Sequence, residues 1–205
     1  MNKKKNGRKL IRVISFTLSV FLIIDQKMIV VLALYLISVA LTPIFGRFYC
    51  SYLCVMDCAL NTKISQKKRV ETISDRLTFY LPFLSLAVSA ALMILFKKTF
   101  HRQLPILLIL LVLSFVYGLA GQATHWHNYI CPFSPLLRTA SHSPVYSYRV
   151  DEKKCLSCTL CAGVCSVNAV VIDEKSRKAA IKTSLCHQCG ECASACPADA
   201  IVYGK

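Results

Sequence analysis

Two four-cysteine runs constrain this chain more than any other feature: Cys155-x2-Cys158-x2-Cys161-x3-Cys165 and Cys186-x2-Cys189-x2-Cys192-x3-Cys196, the second closed by Pro197. They hold eight of the twelve cysteines in 205 residues. A thiolate at every third residue, then a fourth after a wider gap, wraps the backbone around a cubane iron–sulfur cluster. The fourth cysteine of each run crosses to the other cluster. The spacing therefore predicts two 4Fe–4S clusters, one on Cys155, Cys158, Cys161 and Cys196, the other on Cys186, Cys189, Cys192 and Cys165. Chance spacing, zinc and disulfides are the competing readings. Zinc ordinarily takes two Cys-x2-Cys pairs, and disulfide frameworks belong to small secreted chains.

Aligned on these cysteines, residues 150–172 and 181–203 are two copies of one unit offset by 31 residues. Asn168-Ala169-Val170 in the first copy matches Asp199-Ala200-Ile201 in the second. Small residues between the ligands (Ala162, Gly163, Gly190, Ala193, Ser194, Ala195) let backbone approach a cluster and donate N–H bonds to its sulfurs. The pattern resembles the bacterial-type two-cluster ferredoxins from about residue 148 onward, which implies a small α+β domain over 148–205. One departure is Cys165-Ser166, where that family usually has Cys-Pro; the expectation is altered local stiffness or potential with the cluster retained. His187 is expected as an exposed neighbour of a cluster and not as a ligand.

The hydrophobic content of 55% sits upstream of this domain. Apolar runs at about 10–24, 28–45, 77–96 and 104–120 predict four membrane spans, since crossing the hydrocarbon core takes ~20 residues. The first run covers only about 22 Å at ~1.5 Å per residue and contains Arg12, which would have to snorkel; a half-inserted segment is its alternative. A basic stretch precedes it, as in a cleavable signal, but no small-x-small cleavage pattern follows, so a retained anchor is expected. Pro82 and Pro105 fall in the early turns of their spans, where a missing N–H is tolerated. Asp75 is a candidate helix cap, and 141–147 is a short polar linker.

The net charge of +15 points to membrane orientation. Lys3, Lys4, Lys5, Arg8, Lys9 and Arg12 precede or enter the first span. Arg47, Lys63, Lys67, Lys68, Arg69 and Arg76 lie between the second and third. The opposite loops carry Lys27, and Lys97, Lys98 and Arg102. The positive-inside rule then places the N-terminus, the 47–76 loop and the ferredoxin tail in the cytoplasm, in the inner membrane of a prokaryote. Three spans instead of four would put the two termini on opposite sides. A nucleic-acid partner would need basic residues interleaved with exposed aromatics, and none are present. No paired acidic residues lie within a span, which argues against a pump, and no Gly-rich phosphate loop or Ser-His-Asp arrangement occurs.

A second repeat lies in the apolar part. Aligning Cys54 with Cys131 pairs Tyr49 with Trp126, Cys50 with His127, Tyr52 with Tyr129 and Leu53 with Ile130. Each segment follows an apolar span, so this part reads as two parallel copies of helix, helix and ligand loop, with the loops at 47–58 and 125–132. An arginine-aromatic-Cys-x3-Cys loop, a Cys-Pro loop and a two-cluster tail together resemble the membrane-bound ferredoxin-type electron-transfer proteins. That group includes the quinol dehydrogenase subunits of periplasmic nitrate reductase and methylamine-utilisation systems. It also includes the membrane part of the nitrous-oxide-reductase maturation regulator and the oxidase-assembly copper reductase. In that family each loop usually reads Cys-x3-Cys-Pro; here Val55 replaces the first proline, His127 replaces the first cysteine of the second loop, and Cys58 is added.

Cys50, Cys54 and Cys58 share one stripe if the region is helical. With His127 and Cys131 they form a candidate third site for iron or copper. The plain alternative is small buried cysteines packing a turn. Tyr49, Tyr52, Trp126 and Tyr129 are expected at headgroup depth. The function these features imply is an electron-transfer subunit in the bilayer. It would pass single electrons through two 4Fe–4S clusters between a quinol or membrane redox protein and a protein donor or acceptor. The alternatives are a metalloreductase built on the third site, and a redox-sensing maturation or regulatory scaffold.

Overall fold

The computed structural model describes residues 2–25, 27–60, 75–100 and 106–205. Along the chain the elements are α1 (Asn2–Ile24), α2 (Met28–Phe45), α3 (Phe48–Tyr52), α4 (Val55–Leu60), α5 (Asp75–Phe100), α6 (Ile106–Leu119) and α7 (Ala123–His125). A π-helical turn (Trp126–Ile130), α8 (Ser134–Ala140), β1 (Ser147–Val150), α9 (Leu160–Gly163), β2 (Val170–Ile172), β3 (Ala179–Ile181), α10 (Glu191–Ala195) and β4 (Ile201–Gly204) follow. They form two compact units, Met1–Cys54 with Leu137–Lys205, and Val55–Leu136. Most of the basic stretch between the second and third apolar runs, together with Arg102 and Pro105, lies outside the described residues.

In the first unit α1 packs on α2 and α3. Arg12 does not snorkel freely: its Nε donates to the Ser51 carbonyl at 2.8 Å, and Ser15 Oγ donates to the Leu53 carbonyl at 3.2 Å. Both bonds satisfy carbonyls at the frayed end of α3. On α2 one stripe, Tyr35, Ser38 and Thr42, is buried, and Ile29, Leu32, Leu36 and Ile37 face outward. The helix ends at Gly46, whose φ of +69° suits glycine and whose N–H bonds the Thr42 carbonyl at 2.8 Å. The next two orphan carbonyls, of Pro43 and Ile44, accept the N–H groups of Val145 and Tyr146 at 3.0 and 2.8 Å. Phe45 stacks on Tyr146 at 6.1 Å. The end of α2 and the strand entry of the C-terminal domain therefore cap one another.

That domain is built from two antiparallel strand pairs, β1 with β4 and β2 with β3. Val150 faces Ile201 in one, and Val170 faces Ile181 in the other. β1 and β2 flank the first cysteine run and β3 and β4 the second, so each pair takes one strand from each half of the repeat and the halves are interleaved. The shared core is Cys161, Val170, Ala179, Cys192 and Ile201.

In the second unit α4 packs on α6, and the π-helical turn packs on α5, where Ser85 Oγ donates to the Ile130 carbonyl. Trp126 is fully buried, with the Tyr117 ring 5.5 Å away, and His125 lies 4.7 Å from Tyr129. Of the four aromatics expected at headgroup depth, Trp126, Tyr129 and Tyr49 are buried and only Tyr52 is half-exposed. Burying large aromatic area outweighs the interfacial preference of these rings.

Among the described residues one helix, Phe79–Thr99, is long and apolar enough to cross a bilayer, with a mean hydropathy of 2.2 over its best window. Leu10–Leu22, Ile29–Phe45 and Ile106–Leu119 are shorter apolar helices.

Candidate functional site

The two cysteine runs adopt the same backbone. Ser157 and Gln188, Thr159 and Gly190, and Asn168 and Asp199 all have positive φ, and each pair is related by the 31-residue offset. A left-handed residue on either side of Cys158 and of Cys189 turns successive N–H groups toward one point, the concave arrangement that binds anions. Thr159, a β-branched residue in this region, is a real outlier; its counterpart is Gly190. The fourth cysteines also match. Ala169 N–H lies 3.2 Å from Cys165 Sγ, and Ala200 N–H lies 3.4 Å from Cys196 Sγ. The turns after them close alike, Asn168 N–H to the Cys165 carbonyl and Asp199 N–H to the Cys196 carbonyl, both at 3.4 Å. Ser166 thus supports the same turn as Pro197.

Cys155, Cys158, Cys161 and Cys196 line one open cavity, with Val150, Ile172 and Ile201 among its walls. Three of these cysteines come from the first run and one from the second. In the other set, Cys165 lies within electrostatic reach of both Cys186 and Cys192, and Cys189 bears on the same two. Apolar walls, four soft sulfurs and inward N–H groups form a donor set that fits a cubane cluster and suits no hard cation.

Burial pushes the Cys186 thiol up to about 12 and raises Cys192 and Cys161 as well. Cys155 is lowered, first by a backbone hydrogen bond at Ala179 and then by one at Ser157. At neutral pH the buried thiols would keep their protons; metal in the proton's place is what stabilises them as thiolates.

Three further residues at this site were not legible in sequence. Arg47, by sequence one of the loop cations, is 1% exposed and donates to the Ser184 carbonyl at 3.1 Å. Gln188 anchors the second run, accepting from Tyr148 N–H at 3.3 Å and donating to Ser147 Oγ at 3.0 Å. His187, expected to be exposed, is buried at 3% exposure. A fixed charge or a packing contact across 137 residues leaves no periodic signal.

The residues of the candidate third site are distributed differently. Cys50 and Cys54 belong to the first unit, and His127 and Cys131 to the second; all four are buried. The helical stripe expected for Cys50, Cys54 and Cys58 does not form, because α3 stops at Tyr52 and α4 restarts at Val55. The N–H groups of Leu53 and Cys54 both converge on the Tyr49 carbonyl at 2.9 Å, which ends the helix. The side chain of Cys58 lies outside the described residues. The second repeat does have a local echo: Cys131 N–H bonds the Trp126 carbonyl at 2.9 Å, the equivalent of the bond from Cys54 to Tyr49. Within the second unit, His127 Nε2 lies 3.1 Å from Asp57 Oδ1, with both side chains 3% exposed.

Comparison with known proteins agrees with this geometry. Residues 130–200 match the 4Fe-4S dicluster domain. An uncharacterized protein of Methanocaldococcus jannaschii is 26% identical over 88% of this chain and 74% of its own length. An uncharacterized ferredoxin of the same organism is 36% identical over 26% of this chain and 71% of its own. Indolepyruvate oxidoreductase subunit IorA of Pyrococcus abyssi is 35% identical over 32% of this chain, but only 10% of that subunit is covered. No solved structure gives a significant match. Through its C-terminal domain the chain belongs to the 4Fe-4S dicluster ferredoxins, iron–sulfur proteins of electron transfer.

Proposed function

We propose that this protein is a membrane-anchored electron carrier that passes single electrons through two 4Fe–4S clusters between a quinol-type donor or acceptor and a protein partner. In this reading one cluster is held by Cys155, Cys158, Cys161 and Cys196, the other by Cys186, Cys189, Cys192 and Cys165. The observation that carries it is the cavity in which Cys196 joins three cysteines of the other run. The clusters, when bound, take up and release one electron at a time, at potentials set by burial and by hydrogen bonds to sulfur. The chain's own part is placement: apolar walls exclude water, and Ala169 and Ala200 direct N–H groups at ligand sulfurs.

Anchoring by about four helices is supported by apolar side chains that face outward along α1, α2, α5 and α6. Ile29, Ile94 and Leu84 are 83%, 67% and 60% exposed. So much outward apolar surface is costly in water and ordinary in lipid. The inner membrane of a prokaryote, with the N-terminus and ferredoxin domain in the cytoplasm, completes the proposal.

The test is anaerobic purification from membranes with iron and sulfide quantitation, followed by electron paramagnetic resonance of the reduced protein. Two interacting cubane signals that reoxidise with a quinone analogue support the reading. Protein that is iron-free, or that leaves the membrane in alkaline carbonate, overturns the corresponding half.

A further inference from the structure

Arg47 belongs to the segment after α2, 108 residues before the first cluster cysteine, yet it is among the most deeply buried side chains in the chain. One Nη donates to the carbonyl of Ser184, two residues before Cys186, and the other lies 3.8 Å from Cys50 Sγ. Its neighbour Gly46 packs on Gln188 inside the same cysteine run. A guanidinium keeps its charge wherever it is placed, so this is a permanent positive charge in a low-dielectric position beside one cysteine set. Its field reaches Cys186, where it favours the thiolate. The other set has a different cation, Lys178, whose Nζ donates to the Glu152 and Cys155 carbonyls at 2.7 and 2.9 Å in a solvent-shared position. Water and salt screen that charge far more than they screen Arg47.

We propose that Arg47 is a positioning residue that raises the reduction potential of the cluster on Cys186, Cys189, Cys192 and Cys165 selectively, and so sets the order in which the two clusters fill. Uptake of one electron adds one negative charge at that site. A buried cation close by favours the reduced form over the oxidised form, whereas a screened cation does so weakly. The second run is also where the helical part of the first unit meets the ferredoxin domain, through Gly46 on Gln188 and Arg47 on Ser184. The favoured cluster is therefore the one nearest the helices. This inference rests on the ligand assignment proposed above.

The experiment is a redox titration with dithionite and mediators, followed by paramagnetic resonance, on the intact detergent-purified protein after its iron has been counted. Arg47→Gln is expected to lower one of the two midpoints by on the order of tenfold in the reduction equilibrium, about 59 mV for a one-electron couple, and to leave the other in place. Arg47→Lys keeps the charge and loses the fork, so it should restore most of the shift. Cys50→Asp leaves Arg47 in place and sets a carboxylate beside it; it should lower the same midpoint, and it serves if the glutamine variant does not fold. Full iron with both midpoints unmoved, with both moved equally, or with lysine behaving as glutamine overturns the inference and leaves the ligand assignment standing. Absence of iron from the parent protein defeats the assignment itself.

Discussion

Gly46 lies so close to Gln188 that a Cβ on it would stand 2.5 Å from the amide nitrogen of that side chain. The amide cannot simply swing away, because Tyr148 N–H and Ser147 Oγ hold its two ends. The φ of +69° adds strain for any L side chain. Gly46→Ala is therefore expected to cost about 1–3 kcal/mol from backbone strain, with the clash added. Adding Gln188→Ala should recover the clash and leave the strain. Denaturant unfolding of the two variants separates these parts.

Asp57 and His127 form a buried pair in the second unit, 3.1 Å apart. Removing one partner of such a pair deprives the other of this contact in a site away from water. Asp57→Ala is expected to destabilise this unit by about 3–5 kcal/mol, and the double variant Asp57→Leu/His127→Phe to recover much of the loss. Trp126 is the single tryptophan, is fully buried and lies in the same unit, so its fluorescence follows the unfolding directly. Equal losses in the single and double variants would show that the pair contributes packing and no electrostatic coupling.

Much of the site was legible because its signal is local. Cysteine spacing fixes which sulfurs follow one another around a cluster, and the 31-residue repeat marks equivalent positions such as Asn168 and Asp199. Continuous apolar composition marks helices equally well, and α2 covers 28–45. What sequence could not supply is partnership at a distance. Arg47 looks the same in sequence whether its guanidinium faces lipid headgroups or the Ser184 carbonyl. The i, i+4 spacing of Cys50 and Cys54 likewise implied one helix, because the break at Tyr49–Cys54 is set by two converging N–H bonds and not by a glycine or proline.

Asp173 caps the turn between β2 and β3, accepting from Ser176 Oγ at 2.6 Å and from Ser176 N–H at 2.8 Å. These bonds, the side-chain one first, hold its carboxyl below the ordinary value of 3.8. A depressed folded value means that the contribution to stability is present above that ordinary value and is lost as pH falls through the folded one. Ser176→Ala should bring the carboxyl back toward 3.8, read by carbon-13 titration. A titration unchanged by the substitution would assign the shift to some other group.

The cross-over of fourth ligands can be read by counting iron. If Cys196 belongs with Cys155, Cys158 and Cys161, then Cys196→Ala and Cys155→Ala each abolish the same cluster. Each variant should lose about four of eight irons, and the double variant should lose no more than either alone. Cys196→Ala combined with Cys186→Ala should lose nearly all eight, since each substitution strikes a different cluster. If each cluster were held within its own run, the two doubles would exchange results. The distinction survives partial loading, because it depends on whether the two losses add and not on their absolute size.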